Sequence, residues 1–464
     1  MTYVQKKLFD YVTPVRFFIF TAMFFGLIFY KIYPPMSAPD EIGHFAKAYA
    51  FSEGKVIPYF KNVDSNPYSS WDKYGFDLPD DINDLNEDSI GVVLNPDQKY
   101  DYSTLEDSKY LVSSLEFTGL GGQLNYSFIQ YIPQVTGILF AKSFSSSVVT
   151  QYLYAKIFNL FVYVFIIALA IQLFQFSKWS VVLLALNPLS LELATSASGD
   201  SFTNALSFLF VALLSKFIVE KNLKVAELYL SFLLIFALIQ MKPTLITLGM
   251  LYFIIPNESL SWIKKIIYGF VVVLISLKFY YLWGKQFPSQ QIMYQDFTDS
   301  KAQIDSIVQN PINFINILWN TILTKTSFLL RSYSGQFSAL NRNLPFLLVA
   351  YYYASISIVS FDFEVKDKIL TVINKVVLLI LMIGYVLLTF TALYQIWTPV
   401  GSTEVIGLQG RYFIPLSLVF IMILNSRKFT LSSNKIKKIA IISIWSILVY
   451  TTIFLVLSYG FFKD

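Results

Sequence analysis

The chain has few of the side chains on which many enzymes rely. Its 464 residues include no cysteine and a single histidine, His44. The lack of cysteine excludes disulfides, thiolate nucleophiles and cysteine metal sites, and one histidine excludes a multi-histidine metal site. Charged residues are scarce, at 14%. A soluble chain of this length would carry more charge, and no basic tract resembles a nucleic-acid patch, so nucleic acid is not expected as a partner.

Apolar residues make up 55% of the chain, which indicates an all-α polytopic membrane protein. A helix that crosses the bilayer needs about 20 mostly apolar residues. We predict about eleven such helices, at roughly 17–35, 152–174, 179–197, 201–219, 225–241, 243–256, 264–283, 344–361, 369–392, 409–425 and 439–459. We interpret a further apolar stretch, 128–144, as an interfacial or re-entrant helix.

Lysine and arginine predict the orientation, because cytoplasmic loops are enriched in them. With a cytoplasmic N-terminus, every inner loop is basic and the C-terminus is extracytoplasmic. A spanning helix at 128–144 would reverse all later loops, which is why we do not count it. The basic residues of the inner segments are Lys6, Lys7, Arg16, Lys178, Lys221, Lys224, Lys264, Lys265, Lys366, Lys368, Arg427, Lys428, Lys435, Lys437 and Lys438.

The first external segment, 36–126, is strongly acidic. It contains sixteen of the thirty acidic residues and six lysines. We expect a small, mostly irregular and helical cap there. The predicted organisation is a first helix (1–35), a first extracytoplasmic loop with interfacial helices (36–150), a membrane bundle (151–283), a second extracytoplasmic segment (284–343) and a C-terminal membrane bundle (344–464).

Three residues near the end of the first predicted helix are candidates for proton transfer. Asp40 is the acid closest to the bilayer, where partial desolvation would make it a better base, and Glu41 is its neighbour. If the segment is helical, His44 lies on the same face as Asp40 and a hydrogen bond could join them. The alternatives are an ordinary acid of an acidic loop and an interfacial histidine without a role.

Two further acids could form a second acidic site. Asp200 lies in the predicted outer turn Ser198-Gly199-Asp200-Ser201, where capping the following helix would also explain it. Glu192 lies within a predicted membrane helix, where acids are rare and usually face the protein interior. A buried structural hydrogen bond is the alternative for Glu192.

Four residues are candidates for binding a phosphate. Arg411 follows flexible glycines at the outer start of a predicted helix, with Gln409 in the same segment, and the planar guanidinium suits a phosphate. Lys242, in a predicted outer turn with Pro243, could add a second positive charge, and Arg331 is a weaker candidate. Snorkelling of Arg411 to the membrane surface is the alternative.

An ordered set of motifs resembles a known family. The set comprises residues 34–48 (Pro-Pro-x-Ser-Ala-Pro-Asp-Glu-x-x-His-Phe-x-x-Ala), Ser52-Glu53-Gly54-Lys55, Asn187-Pro188, Ser198-Gly199-Asp200, Lys242-Pro243 and residues 407–415 (Gly-Leu-Gln-Gly-Arg-Tyr-Phe-Ile-Pro). Together they resemble the bacterial membrane family called domain of unknown function 2142. That resemblance implies the GT-C architecture of polyprenyl-phosphate-dependent glycosyltransferases. Those enzymes have an acid in the first external loop that acts as a base or binds the acceptor, and the resemblance implies that Asp40 has this role. A second external-loop acid of such enzymes would correspond to Asp200.

The resulting hypothesis is an inverting glycosyltransferase of the cell membrane. Its expected partners are a polyprenyl-phosphate-linked sugar donor, a glycan or lipid-linked acceptor, and membrane lipid. No clear Asp-x-Asp pair occurs in the first loop, so a divalent metal stays possible without being required. The competing hypotheses are a flippase or transporter of a lipid-linked saccharide, a polymerase or ligase that uses diphosphate-linked donors, and a non-catalytic assembly partner.

Overall fold

The computed structural model describes residues 11–61, 74–105, 114–220, 223–285, 298–362, 370–424 and 431–461. Several basic residues used for the orientation lie outside these ranges: Lys6, Lys7, Lys221, Lys366, Lys368, Arg427 and Lys428. The described chain is mostly helical, at 73%. This agrees with the predicted class of a polytopic helical membrane protein.

Six of the described helices are long and apolar enough to cross a membrane. They are α1 (Pro14–Ile32), α5 (Val148–Leu173), α8 (Asp200–Glu220), α10 (Trp262–Lys285), α14 (Val372–Ile396) and α16 (Ser433–Tyr459). Each coincides with one of the predicted spans. Helix α8 is almost wholly buried and forms the centre of the bundle, whereas α10 is exposed along nearly its whole length. An apolar helix exposed in this way is suited to contact lipid.

The other five predicted spans are shorter or interrupted in the structure. The 179–197 stretch is divided into α6 (Lys178–Ala185) and α7 (Pro188–Ala194), because Pro188 cannot donate a helical hydrogen bond and Asn187 caps the second helix. The others are α9 (Val225–Met241), a 3₁₀ helix (Pro243–Ile254), α13 (Phe346–Val359), and a 3₁₀ helix (Gly410–Leu416) that continues as α15 (Ser417–Leu424). A count of eleven spans is therefore not established.

The segment before α5, which we call the cap, packs on one end of the bundle. It contains α2 (Glu41–Ser52), α3 (Asp81–Leu94), a 3₁₀ turn (Phe128–Tyr131) and α4 (Ile132–Lys142). With 11 residues, α4 is only about 16 Å long. This is roughly half the length that a helix needs to cross the hydrocarbon layer.

A small antiparallel sheet also belongs to the cap. It has the order β1 (Tyr59–Phe60), β2 (Tyr74–Pro79) and β3 (Leu115–Gly119), with Phe76 opposite Thr118. This sheet was not predicted, since we expected an irregular and helical cap. The β2 sequence, Tyr-Gly-Phe-Asp-Leu-Pro, contains glycine, aspartate and proline, all of which are depleted in strands.

The segment predicted as a second external region is largely helical where it is described. It contains α11 (Ser300–Gln309), α12 (Pro311–Ser334) and a two-stranded hairpin of β4 (Gln336–Phe337) and β5 (Arg342–Asn343). Helix α12 packs closely on the Gly410–Leu416 helix. A Cβ atom at position 410 would lie 2.0 Å from the Leu329 carbonyl oxygen, so glycine is required there.

Candidate functional site

Four chain segments meet on the cap side of the bundle. The loop after α1 reaches Asp40, α8 begins at Asp200, and α9 ends just before Lys242. Arg411 lies in the first turn of the 3₁₀ helix Gly410–Leu416. Their four charged side chains form a continuous group, which we call the ionic cluster. The sequence distance across it is large: 371 positions separate Asp40 from Arg411.

The ionic cluster alternates acids and bases. Arg411 Nη2 donates to Asp40 Oδ2 at 2.5 Å, and Arg411 Nη1 lies 3.7 Å from Asp200 Oδ2. Lys242 Nζ lies 2.7 Å from Asp200 Oδ1. Two acids and two bases compensate one another, which is how charges in poorly solvated sites are tolerated.

Exposure differs sharply among these four side chains. The side chains of Arg411 and Asp200 are 2% and 7% exposed, that of Lys242 is 15% exposed, and that of Asp40 is 50% exposed. Half of the Asp40 side chain is therefore open to the surroundings of the protein, while Arg411 holds its carboxylate from the protein side. The guanidinium keeps donor capacity, because its Nε has no acceptor among the described residues.

The backbone at Asp40 is strained. Its φ of 61° lies in the left-handed region, directly before α2, although the residue has a Cβ atom. Non-glycine residues in this region cost about 1–3 kcal/mol and cluster at functional sites. The strain directs the carboxylate towards Arg411 while the next residue starts the helix.

Glu41 contacts different groups from Asp40 although the two are adjacent. Its Oε2 accepts from the Ala38 amide at 3.0 Å, and its Oε1 accepts from the Ala197 amide at 2.7 Å and the Tyr152 hydroxyl at 2.8 Å. Three donors occupy this buried carboxylate and fasten the Asp40 loop to the loop before α8. These contacts hold the Glu41 side chain away from the Asp40 carboxylate's partner, Arg411.

His44 does not form the expected side-chain hydrogen bond with Asp40. Its Nδ1 shares a hydrogen bond of 2.9 Å with the Tyr131 hydroxyl, and its ring stacks on Tyr126 with centroids 5.8 Å apart. Asp40 caps α2 in a left-handed conformation, so the two side chains do not share a helical face. Burial lowers the pKa of His44 to about 4, which outweighs the opposite effect of the Asp200 and Asp40 carboxylates. The imidazole is therefore neutral near pH 7.

The remaining predicted site residues lie outside the ionic cluster. Glu192 is buried and its Oε1 accepts from the Ser338 amide at 3.1 Å. Gln409 lines a separate cleft beside Lys325 and Glu404. The Arg331 guanidinium lies 5.4 Å from the Phe346 ring centroid. The structure thus unites Asp40, Asp200, Lys242 and Arg411, and separates Glu192, Gln409 and Arg331 from them.

A cavity of about 350 Å³, the bundle cavity, adjoins the cluster at Lys242. One wall is a single face of α14, because Tyr385, Thr389, Ala392, Leu393 and Ile396 follow the helical repeat of three to four residues. The opposite side includes Tyr280 of α10. Two helices that can cross a membrane therefore enclose it, and its lining is mostly apolar.

The aromatic and amide neighbours of the cluster were not among the predicted site residues. Gln130 Nε2 lies 3.5 Å from Asp200 Oδ1. Lys242 Nζ is 5.5 Å from the Tyr412 ring centroid, and Tyr126 and Tyr412 line the bundle cavity. With 31 tyrosines in the chain, only the position of Tyr412 next to Arg411 could have distinguished it beforehand.

Among the described residues, no three histidine, cysteine, aspartate or glutamate side chains come together as potential ligands of a metal ion. The cluster has two carboxylates, each already close to a cation. We therefore derive no step through a metal.

Comparison with known proteins agrees with the ordered motifs. A family model described as "Predicted membrane protein (DUF2142)" matches residues 23–420, a range that includes the whole ionic cluster. No curated protein and no solved structure gives a significant match. The chain therefore belongs to the DUF2142 family of predicted membrane proteins.

Proposed function

We propose that this protein is a membrane glycosyltransferase of the GT-C type. It moves a sugar from a polyprenyl-phosphate carrier to an extracytoplasmic cell-envelope glycan, with inversion at the anomeric carbon. In this proposal the cap and the ionic cluster face the outside, the N-terminus is cytoplasmic and the C-terminus is extracytoplasmic. The observation that carries it is the contact between a half-exposed carboxylate, Asp40, and a buried guanidinium, Arg411, beside an apolar cavity.

Asp40 is the proposed base. An acceptor hydroxyl attacks the anomeric carbon and forms the new glycosidic bond, while the bond from that carbon to the phosphate oxygen breaks. The hydroxyl proton passes to the Asp40 carboxylate, and the electron pair leaves with the polyprenyl phosphate. Exposure of Asp40 on the cap side supports this role, since a polar glycan would arrive from there.

Arg411 and Lys242 are the proposed partners of the donor phosphate. Negative charge grows on the phosphate as it leaves, and fixed positive charges are most effective where charge develops. The 3.7 Å separation of Arg411 Nη1 from Asp200 is too long for a strong hydrogen bond, and Nε has no acceptor among the described residues, so the guanidinium can accept a further ligand. Asp200 acts as the positioning residue between the two cations.

In this proposal the exchange of partners also prepares the base. When a donor phosphate takes up the Arg411 guanidinium, Asp40 gives up part of its pairing and can accept a proton. An isoprenoid chain is apolar, and the bundle cavity offers it the face of α14. Exposed apolar helices such as α10 allow it to enter from the lipid.

The test is analysis of the cell envelope in a deletion strain complemented with the wild type, Asp40→Asn or Arg411→Lys. We expect loss of one sugar substituent and accumulation of a polyprenyl-phosphate sugar on the outer leaflet in the deletion and Asp40→Asn strains. Accumulation confined to the inner leaflet would instead indicate a flippase. Accumulation of a diphosphate-linked saccharide would indicate a polymerase or ligase. An unchanged envelope, with well-expressed Asp40→Asn protein, would reject Asp40 as the base.

A further inference from the structure

A second cavity, which we call the cap cleft, lies on the cap away from the bundle cavity. It has a volume of about 600 Å³ and is bounded by the end of α2, the paired strand ends at Pro79 and Leu115, and the turn that leads into α5. Cavities of this size accommodate small organic ligands. Neither the ionic cluster nor the bundle cavity contributes residues to it.

A buried side chain with an unpaired acceptor is among the residues that line this cleft. Gln151 lines it and is only 2% exposed, with its Nε2 donating to the Ser145 carbonyl oxygen at 3.2 Å. No described residue donates to Gln151 Oε1, although that atom is buried. A buried amide oxygen without a donor costs about 1–3 kcal/mol, so the site is suited to a ligand that brings a hydroxyl or N–H group.

The charged groups of the cap cleft are already engaged. Lys142 pairs with Glu53 and lies 4.2 Å from the Tyr49 ring centroid, and Lys55 donates to the Asp77 carbonyl oxygen at 2.6 Å. The Lys142–Glu53 pair is neutral overall, so the net positive charge of these three side chains is that of Lys55. A single cation already bound to the backbone is a weaker phosphate site than several converging cations, so a hydrogen-bonding saccharide is the better match.

An apolar ring stands beside these polar groups. Phe144 lines the cleft with 56% of its surface exposed, next to the hydroxyl groups of Ser145 and Ser146. A pyranose has apolar C–H faces and hydroxyl groups along its edges. An exposed ring beside an amide oxygen and serine hydroxyls matches both properties.

We propose that the cap cleft binds a saccharide, with the Gln151 side chain turning into the cleft so that its Oε1 accepts from a sugar hydroxyl, and with Phe144 packing against a sugar face. Helix α2 connects the two sites: it starts directly after Asp40 and ends at Ser52 beside the cleft. Its 12 residues span about 18 Å, a distance that a short oligosaccharide can cover. The assignment of this saccharide as the distal part of the acceptor rests on the proposed function; binding itself does not.

The experiment measures binding of oligosaccharides to the full-length protein in nanodiscs. The probes are an array of neutral tetrasaccharides of glucose, galactose, mannose, rhamnose and N-acetylglucosamine. We expect at least one to bind the wild type, and Gln151→Leu and Phe144→Ala to weaken that binding by about 3- to 10-fold, as loss of one hydrogen bond or one packing contact predicts. Phe144→Ala changes an exposed side chain, so it tests the cleft even if Gln151→Leu fails to fold.

Phe60→Ala is the matched control, because Phe60 is equally exposed (54%) on β1 and does not line the cleft. Binding by none of the probes, or weakening by Phe60→Ala as large as by Phe144→Ala, would overturn the proposal. The binding assay contains no sugar donor and requires no transfer, so a failure of the proposed function leaves the binding result intact.

Discussion

Charged side chains occur in two kinds of surroundings in the described part of this protein, and the comparison underlies the roles that we propose for them. In the ionic cluster the charged side chains Asp40, Asp200, Lys242 and Arg411 contact one another. Two buried charged side chains outside the cluster are bound mainly by the backbone: Glu41 by two amides, and Lys47 by the carbonyl oxygens of Gln123 and Leu124. Backbone groups cannot leave without local unfolding, whereas a side-chain partner can exchange for a ligand.

Two arginines are buried among the described residues, and they make the same comparison. Arg342 donates to the carbonyl oxygens of Val92, Pro96 and Ser458, and so joins α3, β5 and the end of α16. Arg411 instead contacts two carboxylates and, at 3.4 Å, the Pro39 carbonyl oxygen. These contacts indicate a structural role for Arg342, whereas our proposal has Arg411 exchange a carboxylate for a phosphate.

Burial also affects the protonation of one of these backbone-bound side chains, Lys47. It lowers the pKa of Lys47 well below its ordinary value, which disfavours the ammonium form. Two carbonyl acceptors at 2.7 and 2.5 Å compensate the Lys47 side chain for its loss of water. Its contacts fasten α2 to the loop after β3, which is a structural role.

The largest expected effect is that of Asp40→Asn. If Asp40 is the base, the variant should lose about 10²- to 10⁴-fold in transfer rate, because an amide cannot take up the proton. Its thermal stability should change little, because half of the Asp40 side chain is exposed and the Arg411 guanidinium still has the Asp200 carboxylate as a partner. The measurement is single-turnover transfer in nanodiscs together with a thermal melt. Normal turnover would contradict the assignment of Asp40 as the base.

A somewhat smaller loss is expected for Arg411→Lys. Lysine keeps the charge but not the planar fork that can hold a carboxylate and a phosphate together, so the rate should fall by about 10²- to 10³-fold. Arg342→Lys is the matched control, because it changes a second buried arginine that binds carbonyl oxygens. The control should lose stability but keep its rate per folded molecule. Equal rate losses in both variants would show that the two arginines do not differ in function.

Glu41→Gln should show the opposite profile to Asp40→Asn. Both carboxylate oxygens of Glu41 accept hydrogen bonds, but one of them becomes an NH₂ group in glutamine. That group cannot accept, so at least one of the hydrogen bonds from Ala38, Ala197 and Tyr152 would be lost. We expect destabilisation by about 1–3 kcal/mol with the rate per folded molecule preserved. The test compares detergent-solubilised melts with transfer rates normalised to folded protein. A large rate loss without destabilisation would make Glu41 a participant in the chemistry.

The smallest effect concerns pH and His44. Its pKa is about 4 in the folded protein and 6.5 when unperturbed, so between these values the unfolded chain binds the extra proton. Stability should therefore rise with pH from about 4 to about 6.5, by at most about 1.4 kcal/mol per pH unit for this one group. His44→Gln should remove this part of the pH dependence. Melts at closely spaced pH values check it, and an unchanged profile in the variant would contradict the assignment.

Much of the fold followed from patterns that can be read locally. The six long apolar helices and the short helix at 132–142 agree with the hydropathy of their own residues. The cap sheet did not follow, because β2 pairs with β3 about 40 positions later in the chain, and its glycine and proline conceal the strand pattern. Likewise, the interruption at Asn187-Pro188 divided a stretch whose composition alone resembled one continuous helix.

The candidate site was partly predictable for a related reason. Asp40, Asp200, Lys242 and Arg411 each stand at the end of an apolar run, where a polar side chain is unusual enough to be noticed. Glu41 and His44 have the same local features as Asp40. Only their contacts with Ala197, Tyr152 and Tyr131 distinguish them, and those partners are at least 87 positions away.

The amino-acid sequence by itself determined that this protein belongs in a membrane and which charged residues lie at the ends of its apolar segments. Both properties depend on the transfer of short stretches from water to lipid, which is additive along the chain. The tertiary structure alone decided which of those charges meet. Ion pairing acts over a few ångströms, and the Asp40–Arg411 pair joins residues 371 positions apart, so packing of the whole bundle was needed to form it.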